Sequence, residues 1–189
     1  MKVISLESCD LKSGYFIRIK PDTVLLRNNA PFFFPNFAGE VFCRFDLAIK
    51  INKIGKSIKN KFALRYYSQL FPVVEFYAHK LKEPFANTME GDVLSCFDNS
   101  FAVSNVQIHM QDTSNYNLST MINGELVNDF ATATLAQRCA EVIGYTSEIM
   151  TLKIGDIISL GLSDKKTSVN IGDRIQCSSS EEHLDFIVK

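Results

Sequence analysis

The chain has 189 residues, a formal charge of −1 and 46% apolar residues. That length can bury a core as one domain, and the near-balanced charge argues against nucleic acid, which needs a basic patch. No apolar run approaches the roughly 18 residues of a membrane span, and Met1 to Glu7 has no apolar region after it of the kind a signal peptide carries. The expectation is a cytoplasmic protein with neither membrane nor nucleic acid as a partner.

The five cysteines, at positions 9, 43, 96, 139 and 177, are odd in number and lack zinc spacing, so reduced structural thiols are expected. Fifteen phenylalanines without a tryptophan suggest a strand-rich aromatic core. Met1 to Leu6 and Tyr15 to Lys20 read as strands, the second stopped by Pro21. Thr23 to Leu26 reads as a short strand. Pro31 to Pro35 is an edge strand or an extended connection.

Val41 to Ile51 is the first long strand. Period-two alternation puts Arg44, Asp46 and Ala48 on one face and Cys43, Phe45, Leu47 and Ile49 on the other. A cation and a carboxylate thus share a face. They are either a solvated salt bridge or one wall of a polar site. Asn60 to Leu70 reads as a helix capped by Asn60. Pro72 to Ala78 is a strand in which Glu75 stands among apolar residues. A carboxylate there needs a cation, a metal or solvent. Lys80 to Glu90 is a polar loop.

Val93 to Phe97 and Phe101 to Met110 follow as strands, with His109 a strand surface residue. Leu118 to Ile122, the turn Asn123-Gly124 and Glu125 to Val127 form a hairpin, since Asn-Gly is the strongest short hairpin signal. Leu135 to Met150 is a helix with Leu135, Val142, Ile143 and Ile149 near one stripe. Lys153 to Asp156 is a tight turn using Gly155, and Ile157 to Leu160 is a buried strand. Gly161 allows a backbone or ligand to come close. Val169 to Asp173 repeats the Ile-Gly-Asp turn, and strands at Arg174 to Ser178 and His183 to Lys189 close the chain.

Several of these stretches together resemble the fumarylacetoacetate hydrolase family in its short single-domain form, isomerase-like or acylpyruvase-like. They are Tyr145-Thr146-Ser147, Thr151-Leu152-Lys153-Ile154-Gly155-Asp156, Leu160-Gly161-Leu162-Ser163, Lys20-Pro21-Asp22, Pro31-Phe32-Phe33, Asn52-Lys53-Ile54-Gly55-Lys56 and Phe62-Ala63-Leu64-Arg65-Tyr66-Tyr67. Their collinear order carries the resemblance across residues 1–189. It implies a mainly β (α+β) fold, a mixed β-sandwich or β-roll with a few short helices, in a homodimer. It also implies Mg²⁺ or Mn²⁺ held by three carboxylates, and 2-oxo or 1,3-dioxo acids as substrates for C–C hydrolysis, decarboxylation or tautomerisation.

Carried over residue by residue, the ligand pair of that family falls on Arg44 and Asp46, and the third ligand on Glu75. Its His and Glu base pair falls near Cys9 to Ser13, where no His stands. Its lysine falls at Glu83, with Lys82 as the candidate substitute. Its substrate-binding threonine falls at Leu162, beside Gly161. His79 falls beside the site, where the family has an arginine. The resulting expectation is a metal-free site in which Arg44 satisfies Asp46 and Glu75 bidentately. Function is then either impaired family chemistry or a non-catalytic homologue, with Arg44 available to read a small acid.

Overall fold

The computed structural model describes residues 1–8, 14–86, 94–109, 117–131, 134–179 and 182–189. In chain order its strands are β1 (Val3–Ser8), β2 (Tyr15–Lys20), β3 (Leu25–Leu26), β4 (Ala38–Lys50), β5 (Gln69–Leu81), β6 (Phe101–Val103), β7 (Ile108–His109), β8 (Asn117–Ile122), β9 (Glu125–Ala131), β10 (Ile157–Ser159), β11 (Thr167–Val169), β12 (Arg174–Ser178) and β13 (Glu182–Ile187). Helix α1 spans Leu135–Ile149. The mainly β class with few helices is therefore observed.

The larger sheet runs β2-β1-β10-β4-β5-β6-β3, with β11 and β7 attached to β4 and β5. It is mixed, because β1 lies parallel to β10 and β3 to β6. The smaller sheet runs β13-β12-β8-β9. The spine is the antiparallel pair β4 and β5, in which Arg44 faces Glu75 and Ala48 faces Phe71.

Alternation along β4 decides what each face of the larger sheet meets. Cys43, Phe45, Leu47 and Ile49 enter the main core, where Leu118, Ile175 and Leu184 of the smaller sheet and Leu135, Cys139 and Val142 of α1 cover them. The opposite face carries Arg44, Asp46 and Ala48. Both faces are buried, so β4 is apolar at most positions and its charged residues require partners.

The repeated Ile-Gly-Asp sequence is a repeated structure. In Lys153–Asp156, Gly155 has φ 89° and the Asp156 amide donates to the Lys153 carbonyl at 3.1 Å, while the Asp156 carboxylate accepts from the Lys153 amide at 2.8 Å. In Asn170–Asp173, Gly172 has φ 98° and the Asp173 carboxylate accepts from the Asn170 amide at 2.7 Å. The Asn123-Gly124 hairpin is also as expected, with φ positive at both residues, the pattern of a type I′ turn.

Four elements differ from the sequence reading. Asn60–Arg65 is a 3-10 turn preceded by Lys59 as its cap, and Gln69 already belongs to β5. Only Ala63 of that turn is buried, while Phe62 and Leu64 point outward, so it lacks the apolar stripe that would extend it. Asp22–Val24 is likewise a 3-10 turn, leaving β3 two residues long. Residues 94–97 are not a strand, and Val93 lies outside the described residues. The segment from Phe101 breaks into β6 and β7, because the Ser104 hydroxyl takes the Val106 amide at 3.0 Å and bends the chain away. Met110 lies outside the described residues, as does the side chain of His109. On α1, Ile149 is 56% exposed, since the last turns bury Gly144 and Ser147 against the loop at 57–60 instead.

Candidate functional site

Four strands bring charged side chains to the second face of the larger sheet. β4 supplies Arg44 and Asp46, and β5 supplies Glu75 and Tyr77, since Arg44 pairs with Glu75 in register. β1 supplies Ser5 and Glu7, and its antiparallel partner β2 supplies Arg18 and Lys20 opposite Ser5 and Val3. Lys20, Arg44, Asp46 and Glu75 are at most 1% exposed.

Glu75 is the centre. Its Oε2 receives Arg44 Nη2 at 2.6 Å and the Ser5 hydroxyl at 2.7 Å, and its Oε1 pairs with Lys20 Nζ. Arg44 Nη1 donates to the Leu6 carbonyl at 2.8 Å, and Nη2 also donates to Ser5 Oγ at 3.1 Å. Burial would raise the Glu75 carboxyl, but the Lys20 and Arg44 charges outweigh it and hold it well below the usual carboxylate range.

Asp46 is satisfied differently. Its carboxylate accepts from the amides of Leu47 at 2.8 Å, Gly161 at 2.7 Å and Leu162 at 3.1 Å. Arg44 Nη2 stays 4.0 Å from Asp46 Oδ2. The expected bidentate grip of Arg44 on both carboxylates is thus corrected: the guanidinium is committed to Glu75, and backbone amides already fill Asp46. Burial pushes the Asp46 carboxyl up, against the opposing pull of Arg44 and the amides.

Gly161 is what lets the amides reach Asp46. Its φ is 61°, and a Cβ there would stand 3.0 Å from the Leu6 carbonyl oxygen. Arg138 of α1 fixes the same corner, donating to the carbonyls of Leu160 at 2.8 Å and Gly161 at 2.9 Å. Leu162 therefore contributes through its backbone, whatever its side chain lacks.

A second layer lies over the first. Glu7 pairs with Arg18 and with Lys166 Nζ at 2.6 Å. The Tyr77 ring sits between the layers, with the charged groups of Lys166, Lys20, Arg18 and Arg44 4.4 to 6.0 Å from its centre.

Arg44, Asp46, Glu75, Gly161 and Leu162 therefore converge. Lys82 does not join them: it is exposed beyond the end of β5, its amide donating to the Phe37 carbonyl. His79 is opposite Glu40, further along the strand pair, and contacts that carboxylate at 3.3 Å. Residues 9–13, where the base pair was expected, lie outside the described residues. Sequence reading missed Ser5, Glu7, Arg18, Lys20 and Lys166 as members of the site. The one available signal was Lys20, a cation on a strand that must bury one face.

A divalent metal does not fit these residues. Hard cations take six or more oxygens. Here two carboxylates converge, Asp46 spends its oxygens on amides and Glu75 on two cations, and the Arg44 guanidinium stands beside both. Among the described residues no group of three or more His, Cys, Asp or Glu side chains is arranged to hold a metal ion.

The model of the fumarylacetoacetate (FAA) hydrolase C-terminal domain matches residues 12–183. This chain belongs to the fumarylacetoacetate hydrolase family. It is 24% identical to the mitochondrial oxaloacetate tautomerase FAHD1 of Bos taurus, over 84% of this chain and 73% of that protein. It is also 24% identical to a 4-hydroxyphenylacetate degradation bifunctional isomerase/decarboxylase of Salmonella dublin, but spans 35% of that protein's length. Among solved structures, 5-carboxymethyl-2-hydroxymuconate delta-isomerase from Mycobacterium smegmatis aligns with a TM-score of 0.83 and 21% identity, over 99% of this chain and 78% of its own. Fumarylpyruvate hydrolase from Pseudomonas aeruginosa, in complex with Mn²⁺ and pyruvate, aligns with a TM-score of 0.81 and 16% identity, over 100% of this chain and 89% of its own. The family scaffold is one that carries hydrolase, isomerase and decarboxylase chemistry. No helix among the described residues is long and apolar enough to cross a membrane.

Proposed function

We propose that this fumarylacetoacetate hydrolase-family domain is impaired or inactive in the family's metal-dependent chemistry, with an internal ion-pair network where the metal would sit. The reading rests on one observation, the 2.6 Å contact of Arg44 with Glu75 between two side chains closed off from solvent. The relative that holds Mn²⁺ and pyruvate supports the chemistry being compared, a hard cation acting on a 2-oxo acid. In this chain an incoming ion would meet the positive charge of Arg44 and compete with donors that both carboxylates already have. Glu83 in place of the family lysine and Leu162 in place of the hydroxyl point the same way. Groups that act as a unit are not rescued singly.

The alternative, a small acid read by Arg44 itself, is less well supported. Both terminal nitrogens of the guanidinium already donate to Leu6, Ser5 and Glu75, which leaves a ligand only the buried Nε unless it displaces Glu75.

Melting temperature with and without Mg²⁺ or Mn²⁺ tests the proposal. A metal at 100 times its Kd adds about 2.7 kcal/mol, which at this chain length raises Tm by roughly 5–10 °C. The expected shift is nil, together with no turnover of oxaloacetate or an acylpyruvate. A metal-dependent rise of several degrees overturns it.

A further inference from the structure

The charged face of the larger sheet continues past Asp46. It carries a small apolar cluster of Val3, Val24, Ala48, Val73, Phe101 and Ile157. Beyond that cluster, roughly 20 Å along β4 from Arg44 at about 3.3 Å per residue, a cavity of about 220 Å³ opens. Phe71, Val103 and Ile157 line its apolar side, and Arg27, Lys50 and Gln107 its polar side.

The cavity follows from the break between β6 and β7. Ser104 turns the chain by holding the Val106 amide and donates to the His183 carbonyl at 2.8 Å, so among the described residues no strand continues β6 across Phe71. The far rim is tied by Asn105, whose amide donates to Asn28 Oδ1 at 2.9 Å. The opening is therefore built by hydrogen bonds rather than left by loose packing.

Among the described residues the charge at the cavity has one sign, and no Asp or Glu lines it. Among the described residues neither Arg27 nor Lys50 has a carboxylate within ion-pair distance, whereas Lys2, Arg18, Lys20 and Arg44 each do. Two cations with no counter-ion among the described residues, beside an apolar wall, suit a carboxylate with a hydrocarbon body: Arg receives the anion in a fork, and the body leaves water against Phe71 and Val103. The volume lies below the 300–1,000 Å³ typical of sites for drug-sized ligands, which limits the occupant to a small acid.

We propose that this cavity is a binding site for a small organic monocarboxylate, separate from the ion-pair network at Glu75. It stands or falls independently of whether that network has displaced the metal, because the two share no residue.

Benzoate is the probe, titrated against the full chain and followed by calorimetry. Saturable binding is expected, weakened roughly tenfold or more by Arg27→Ala with Lys50→Ala, the loss of a charge-assisted hydrogen bond. Benzamide, which keeps the shape and drops the charge, is expected to bind at least about tenfold more weakly. Both cations are exposed, so the double variant retains its fold, checked by its melting temperature. Absence of saturable benzoate binding overturns the proposal, as does binding that is indifferent to the double variant or equal for benzamide.

Discussion

Glu75 meets two buried cations, so the three members of that contact are not equivalent. Without Arg44, Lys20 still holds Oε1; without Lys20, Arg44 still holds Oε2. Without Glu75, Lys20 loses its counter-charge in a dry place and Arg44 keeps only Asp46, 4.0 Å away. Breaking a buried pair costs about 3–5 kcal/mol. Glu75→Gln is expected to lose at least that in urea unfolding, and Arg44→Met and Lys20→Met are each expected to lose less. The same residue sets the acid limb. Its folded carboxyl lies below the ordinary value, so its stabilisation is complete above about pH 4.3 and disappears as pH falls toward the folded value. Asp46 is shifted upward, so its protonation favours the fold and offsets part of that loss. Stability measured down the acid limb should fall more steeply in the native chain than in Glu75→Gln. Arg44 and Asp46 were legible as a pair because alternation is local. Lys20 showed only as a cation on a strand that must bury one face, and its contact with Glu75 was hidden because it depends on the order of strands lying between β2 and β5 in the sheet.

Two glycines separate conformational cost from contact cost at the level of elements. Gly124 closes the β8–β9 hairpin at φ 80° with nothing within 4 Å of a Cβ, so Gly124→Ala carries only the left-handed backbone cost of about 1–2 kcal/mol. Gly161 follows β10 at φ 61°, and its added Cβ would press on the Leu6 carbonyl, a backbone atom that cannot rotate away. Gly161→Ala is expected to lower Tm clearly more than Gly124→Ala, since it also shifts the amides that hold Asp46. Both positions could be read from sequence, one as an Asn-Gly turn and the other as a close approach after an apolar strand. Helix α1 and the long strands were legible for the same reason: their periodicity runs over many residues. The 3-10 turn at Asn60–Arg65 was not, because spacings of three and four residues satisfy either helix type over so short a span. Nor was the break after Val103, which depends on a serine hydroxyl rather than on hydropathy.

Across the whole molecule the larger sheet is finished in two ways. One face is covered by apolar side chains from α1 and the smaller sheet, and the other holds charge sealed by charge, outward from Glu75 through Tyr77 to the Glu7, Arg18 and Lys166 layer. The near-neutral total of −1 conceals this concentration, which is why bulk composition was silent about it. The layered arrangement around Tyr77 has an optical consequence. The chain contains six tyrosines and no tryptophan, so phenol rings dominate its near-ultraviolet spectrum. Burial and the neighbouring Glu75 carboxylate hold the Tyr77 hydroxyl far above the usual phenol range, and burial together with Cys139 does the same for Tyr67. Both rings therefore resist ionisation while the interior stays closed. After a jump to strongly alkaline pH, the slow part of the phenolate absorbance should therefore rise at the rate at which far-ultraviolet ellipticity is lost. These two rings would make the native protein its own unlabelled clock for the opening of its interior.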